Sequence, residues 1–403
     1  MSDVTEPATS VPRPRAHPFD PPPEYRALRE QEPVARVVLP TRAPAWALTR
    51  HADIRQMLSD PRFSSDRRNP GYPALSVELA QAAHEFTPSL IGMDQPEHLR
   101  ARRALTGEFT VRRVNLLRSR IQQIVDDQLD FIFGLPQPVD LVETLALPVP
   151  SLVTCELLGV PYTDHAFFQD HTARLVRRTT PVPERFTAFT ELRTYFDDLV
   201  AGKERTGSDD LLGRQITRQR EEAGAVDREA LAALAFLILV GGYETTANTI
   251  ATGIVALLTH PDQLAKIRQD PAKTPAAVDE LLRYLSVAEF ATARVATADV
   301  EIGGVLIRAG EGVVPLDCMA NRDPDAFSDP DKLDIERPVR HHIAFGYGPH
   351  QCIGQHLARL ELRIVFDTLF RRMPGLRLAV PIGELSFKDD ANIYGLDALP
   401  VTW

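Results

Sequence analysis

Cysteine is nearly absent: Cys155, Cys318 and Cys352 are the only ones in 403 residues. An odd number without short-range pairing excludes a disulfide framework and fits a reducing cytoplasm. Positive charge is also in deficit, with 45 Lys and Arg against 55 Asp and Glu and a net charge of −10. A nucleic-acid binder would carry a basic stripe, so nucleic acid is not an expected partner. Long apolar runs are missing too. The most apolar stretch, residues 231–240, runs straight into Gly241-Gly242-Tyr243-Glu244, too short and too polar at its end to span a bilayer, so no membrane anchor is expected. No period of 20 to 50 residues repeats, which removes solenoids and propellers. Prolines crowd the N-terminus, including Pro21-Pro22-Pro23, and cannot form the continuous apolar helix of a signal peptide. Residues 1–20 are expected to be a flexible Pro-rich leader.

What is present describes a folded, helix-rich chain. Hydrophobic residues make up 44% and charged residues 25%, ordinary for a protein with a sizeable core. Apolar periodicity predicts helices over 51–58, 96–108, 113–133, 150–158, 227–260 and 275–285. β-branched and aromatic residues predict a strand pair over 35–39 and 45–49, and a hairpin over 299–307 turning on Gly303-Gly304. A long irregular stretch then runs to Ala344. Such loops are usually functional or hold something, and this one leads directly to Cys352.

The sharpest local signal is Phe345-Gly346-Tyr347-Gly348-Pro349-His350-Gln351-Cys352-Ile353-Gly354, followed by an amphipathic helix with Ile353, Leu357, Leu360 and Ile364 on one face. Glycines and a proline shape a tight loop. A cysteine at a helix start would receive backbone N–H groups and the positive end of the dipole, which favour the thiolate, a soft metal ligand. The competing reading is an inert buried cysteine after a glycine-rich turn. A second signal is Leu239-Val240-Gly241-Gly242-Tyr243-Glu244-Thr245-Thr246, where glycines, an acid and threonines interrupt an apolar helix; alone, it also reads as a tolerated polar notch. Glu280-Leu281-Leu282-Arg283 is an acid–base pair found on countless exposed helices. His98 and Arg102 share one helix face, which by itself is compatible with a solvated basic surface.

Together, in this order, these elements resemble the cytochrome P450 superfamily, most nearly its soluble actinomycete members, from about residue 20 to the C-terminus. The resemblance implies a mainly α fold with a minor β region. It implies one triangular domain over residues 21–403, enclosing haem b between a distal long helix and a proximal cysteine loop. Cys352 would be the axial ligand of the haem iron, pushing electron density toward bound oxygen. Phe345 would pack near its sulfur, Gly348 would permit the turn, His350 would meet a propionate and Gly354 would let backbone approach the porphyrin. His98, Arg102 and Arg294 would be further propionate partners. Glu244 and Thr245 match the acid–alcohol pair that relays protons during oxygen activation, with Gly241 standing where alanine is common. Glu280, Arg283 and Arg337 match a structural clamp. The substrate pocket would draw on Phe86, Leu90, Leu237, Val240, Gly241, Phe290, Thr292, Ile393 and Tyr394.

The implied function is a cytoplasmic monooxygenase, expected to be a monomer. It would hydroxylate or epoxidise an apolar small molecule, such as a polyketide, macrolide, terpenoid or xenobiotic, with O2. Electrons would come from NAD(P)H through a ferredoxin reductase and a ferredoxin. The stretch 98–120 carries seven arginines; part of it, with Arg359 and Arg363, is a candidate docking surface for the acidic ferredoxin, or merely a solvated face. The alternatives are a peroxygenase, against which Glu244 and Thr245 argue, an oxidase that forms rings or couples radicals, and a non-catalytic haem sensor or haem-free auxiliary protein.

Overall fold

A computed structural model describes residues 9–75, 90–176, 180–338, 341–388 and 393–403. It is mainly α-helical with short strands, and the chain divides into two compact units. The first holds residues 1–102, 275–353 and 387–395. Its six-stranded sheet runs in the order Thr9–Ser10, Val34–Val38, Pro44–Leu48, Gly312–Pro315, Arg294–Ala296, Phe63–Ser64. The strand pair expected from the sequence forms with Arg36 opposite Trp46. Arg36 lies 4.0 Å from the Trp46 ring, and the Trp46 indole N–H donates to Glu311 Oε2 at 2.7 Å. Trp46 therefore keeps its polar edge bonded while its body joins Leu48, Ile54, Met57, Phe63, Ile302 and Val313 in the core. The expected hairpin also forms, Val300–Ile302 against Val305–Ile307, turning on Gly303 and Gly304 at φ +56° and +81°. Positive φ at both central residues is the two-residue turn that glycine permits.

Residues 9–20 correct the expectation of a flexible leader. Thr9–Ser10 pairs in parallel with Val37–Val38, Val11 and Phe19 are buried, and the Arg15 guanidinium reaches Glu289 Oε1 at 2.6 Å. Proline excludes a helix but not an extended strap fixed by side-chain anchors, and composition alone cannot tell the two apart.

The second unit holds residues 103–274, 354–386 and 396–403. Its centre is the 32-residue helix Arg228–Thr259, started by the Asp227 carboxylate accepting from the Ala230 N–H at 3.0 Å. Pro148–Leu158, Val182–Thr206 and Gln355–Arg372 pack against it. Contact with the last is so close that a Cβ on Gly253 would stand 2.6 Å from the Phe366 ring. The helix matches the 227–260 span expected from apolar periodicity, and by length and composition it could cross a membrane. Its continuous burial from Thr246 to Leu257 is that of a core helix inside this unit. Arg377–Leu378, Pro400–Thr402 and Val139–Asp140 form a three-stranded antiparallel sheet in the same unit.

Candidate functional site

The cysteine loop belongs to the first unit. Gly346 and Gly348 adopt φ +67° and +70°, and a Cβ on Gly348 would lie 2.5 Å from the Leu58 carbonyl oxygen. That position needs glycine for both conformation and space. The loop closes where the Cys352 N–H donates to the Phe345 carbonyl at 2.8 Å. Cys155 and Cys318 are buried, whereas Cys352 is exposed; the reading of Cys352 as an inert core residue is overturned. One detail of the sequence reading changes. The following helix begins at Gln355 with Gly354 as its N-cap, so Cys352 precedes the helix rather than opening it. Gly354 itself has φ −81°, a conformation open to any residue.

Basic groups from distant parts of the first unit gather at this loop. The His98 and His350 rings stack with centroids 3.8 Å apart. His350 Nε2 lies 3.1 Å from Ser65 Oγ, and Arg102 Nη2 donates to the Gln351 carbonyl at 2.5 Å. Burial, then the nearby Arg294, His98 and Arg102, push the His350 pKa down to about 3. Burial also lowers His98, with Arg102 and Arg294 adding to the effect. Arg294 is lowered by burial as well; it hydrogen-bonds the Ala293 carbonyl at 2.8 Å and makes no ion pair among the described residues. His98 Nε2 is buried with no hydrogen-bond partner among the described residues. A buried guanidinium, that of Arg294, beside an orphaned imidazole nitrogen costs free energy unless an anion completes the set. The nearby Asp94 offsets part of the charge at His98 and Arg294, but its hydrogen bonds go to the Ser64 hydroxyl and the Ser65 N–H and leave His98 Nε2 unmet. A dianion of separate carboxylates beside an accessible thiol would satisfy the set, and the two propionates and iron of haem have that chemistry.

The remaining expected residues are placed as follows. Glu280 and Arg283 are fully buried and doubly bonded, Arg283 Nε to Oε2 at 2.7 Å and Nη2 to Oε1 at 2.8 Å. Arg337 Nε joins at 3.2 Å. On the long helix, the half-buried Thr245 donates its hydroxyl to the Gly241 carbonyl at 2.7 Å, and Glu244 is half-buried beside it. A Cβ at Gly241 would meet nothing within 4 Å, so alanine would fit there. Among the pocket residues, Phe86 lies outside the described residues. Leu90, Leu237, Val240, Thr292 and Ile393 are partly exposed. Phe290 departs from expectation, being packed in the core with Val11, Tyr25 and Met319. Tyr394 is 3% exposed and stacked on Phe387, so its ring serves as a wall of the core. Sequence reading passed over Asp94 and Asp317. The buried Asp317 accepts from the Thr292 hydroxyl at 3.0 Å, and its signal was a carboxylate set in the apolar run Val313 to Met319.

The loop, its thiol and the surrounding arginines and histidines fit a haem-thiolate protein. Comparison with known proteins agrees. The family model for cytochrome P450 matches residues 161–373. Pentalenic acid synthase of Streptomyces avermitilis is 47% identical over 99% of this chain and all of its own length. Vitamin D3 dihydroxylase of Streptomyces griseolus is 44% identical over 99% of this chain and 98% of its own length. The crystal structure of cytochrome P450 MoxA from Nonomuraea recticatena is 54% identical, covers 98% of both chains and superposes with a TM-score of 0.95. The chain belongs to the cytochrome P450 family, is of the bacterial actinomycete type, and is a haem-dependent monooxygenase.

Proposed function

We propose that this enzyme hydroxylates or epoxidises an apolar secondary metabolite of the terpenoid or polyketide–macrolide kind, or a xenobiotic, in the cytoplasm. The observation carrying the site assignment is the gathering of His98, Arg102, Arg294 and His350 at the Cys352 loop. Relatives named for pentalenic acid synthesis and for 23-monooxygenation of 20-oxo-5-O-mycaminosyltylactone support the substrate class. Haem, when bound, supplies the activation of O2 and the redox chemistry. Cys352 would hold the iron, Arg102, Arg294 and the two imidazoles would hold the propionates, and Phe345 would shield the sulfur. In the first unit the partly exposed Leu90, Thr292 and Ile393 would bind and orient the substrate and exclude water; Leu237 and Val240 are partly exposed on the long helix of the second.

Proton delivery falls to Glu244 and Thr245. With its hydrogen committed to the Gly241 carbonyl, the Thr245 hydroxyl turns lone pairs outward and accepts a hydrogen bond from a proton-carrying water. Glu244 would pass protons inward from solvent. Thr245→Ala is therefore expected to uncouple the enzyme. Reductant consumption should continue while product per reductant falls about 100-fold and hydrogen peroxide rises in its place. Fully coupled oxidation in that variant would remove the role assigned to Thr245.

Electrons would arrive from a ferredoxin and its reductase. Within the second unit, helix Val111–Asn115 packs on helix Gln355–Arg372, bringing the exposed Arg112 together with the helix of Arg359 and Arg363. Val111 and Leu116 are 54% and 67% exposed beside it, a mix of apolar and basic groups suited to a small acidic partner. The basic stretch is less free than its composition implies, since Arg113 and Arg120 lie against Glu108 and Glu156. Arg112→Glu is expected to slow reduction by an acidic ferredoxin about tenfold at low salt, with an unchanged haem spectrum. Stopped-flow reduction rates identical to those of the unmodified protein would count against this face.

A further inference from the structure

The N-terminal strap carries a buried arginine for which the mechanism above has no use. Its backbone is held on both sides, by the pairing of Thr9–Ser10 and by Phe19, whose carbonyl accepts from Arg322 Nη2 at 2.7 Å. Between these anchors the Arg15 side chain is 3% exposed. Its guanidinium meets Glu289 Oε1 at 2.6 Å and the Leu285 carbonyl at 3.3 Å, and its Cζ stands 3.9 Å over the Tyr394 ring. Arg15 thus bonds one segment, 285–289, and stacks on another, 393–394. The two segments also bond each other, the Tyr394 N–H donating to the Val287 carbonyl at 2.7 Å and Ala288 bridging Ile393.

The first of these segments is not held by its own preferences. Ser286 and Phe290 have φ +45° and +61°, left-handed values that side chains adopt only when their surroundings enforce them. The enforcement is at both ends. Arg15 grips Leu285 and Glu289, and the buried Asp317 accepts from the Thr292 hydroxyl at 3.0 Å. Thr292 in turn lies against the cysteine loop, where a Cβ on Gly346 would come within 3.5 Å of its Cγ2.

We propose that Arg15 is a positioning residue for substrate selection, a tether by which the N-terminal strap fixes the segments that present Thr292 and Ile393 to the substrate. This rests on the pocket assignment made under the proposed function. Arg15 touches no substrate itself; it acts through Glu289 and Tyr394. Arg322 shows what a purely structural arginine does in the same unit. It bonds Asp331 and the Phe19 and Tyr284 carbonyls, none of which belongs to the pocket assignment.

Removing Arg15 alone would strand the Glu289 carboxylate, which is only 11% exposed, and risk misfolding. The decisive variant therefore removes both charges, Arg15→Met with Glu289→Leu, and Arg15→Lys tests rescue. Purified haem-loaded proteins are titrated with imidazole, which needs only the iron, and with clotrimazole, whose bulk must fit the pocket walls. The expected result is clotrimazole affinity weakened about tenfold in the double variant, most of it restored in Arg15→Lys, with imidazole affinity within about twofold throughout. Unchanged clotrimazole affinity overturns the proposal. An equal loss for both azoles also overturns it, by showing a general structural role. If the unmodified protein lacks a thiolate-type carbon monoxide spectrum, the haem-site reading beneath the proposal fails instead.

Discussion

Cys352→Ala is expected to abolish the strongly red-shifted Soret band that the reduced, carbon monoxide-treated protein should show. Turnover should fall at least about a thousandfold, equivalent to about 4 kcal/mol in the barrier. The reasoning is chemical. A thiolate ligand donates electron density to the iron in a way that alanine, or a water replacing it, cannot. Cys155→Ser and Cys318→Ser are the internal controls, because both side chains are buried and burial pushes both thiols well above their usual range. Either change could lower stability, but neither should remove the red-shifted band. A band that survives Cys352→Ala, or an imidazole-type spectrum in the unmodified protein, would overturn the thiolate assignment.

The contrast among the three cysteines also shows where sequence reading succeeds. The Cys352 loop was legible because everything that shapes it is local: two glycines with positive φ, a proline, and a helix starting a few residues later. The hairpin on Gly303-Gly304 and the polar notch of the long helix were legible for the same reason. Helix Val182–Thr206 went unread although Ala188, Leu192, Phe196 and Val200 form a buried stripe four residues apart. Val182 and Phe186, each 68% exposed, continue the apolar pattern onto the surface and blur its period. What no local pattern could reveal is convergence. The stacking of His98 on His350 joins residues from separate segments of the chain, as does the insertion of Arg15 against Glu289. A proline-rich segment looks the same in sequence whether it floats or straps, because the deciding contacts lie elsewhere in the chain. Phe290 is ambiguous for a different reason. Its apolar character suits a pocket wall and a core equally, and in the structure it serves the core.

Arg283→Ala should produce the largest loss of stability, because of what the guanidinium leaves behind. Glu280 has no exposure of its own and shares its Oε1 among Arg283, Arg337 and the Asp334 N–H. Arg283 also donates to the Asn321 and Pro330 carbonyls at 2.7 and 2.8 Å. Alanine would leave a buried carboxylate with only Arg337 as charge partner, carbonyls without donors, and a cavity. Breaking one side of a buried pair costs about 3–5 kcal/mol, a large part of the stability of a typical domain. The expected outcome is protein that unfolds at much lower urea concentration and retains little haem. Glu280→Leu with Arg283→Met removes both charges and should recover part of the loss. Recovery stays incomplete, because Arg337 and the two carbonyls lose partners they cannot replace. Equal urea midpoints for Arg283→Ala and the double variant would mean that packing volume and carbonyl bonding, rather than the stranded charge, dominate the clamp. A midpoint unchanged from the unmodified protein in Arg283→Ala would remove the structural role altogether.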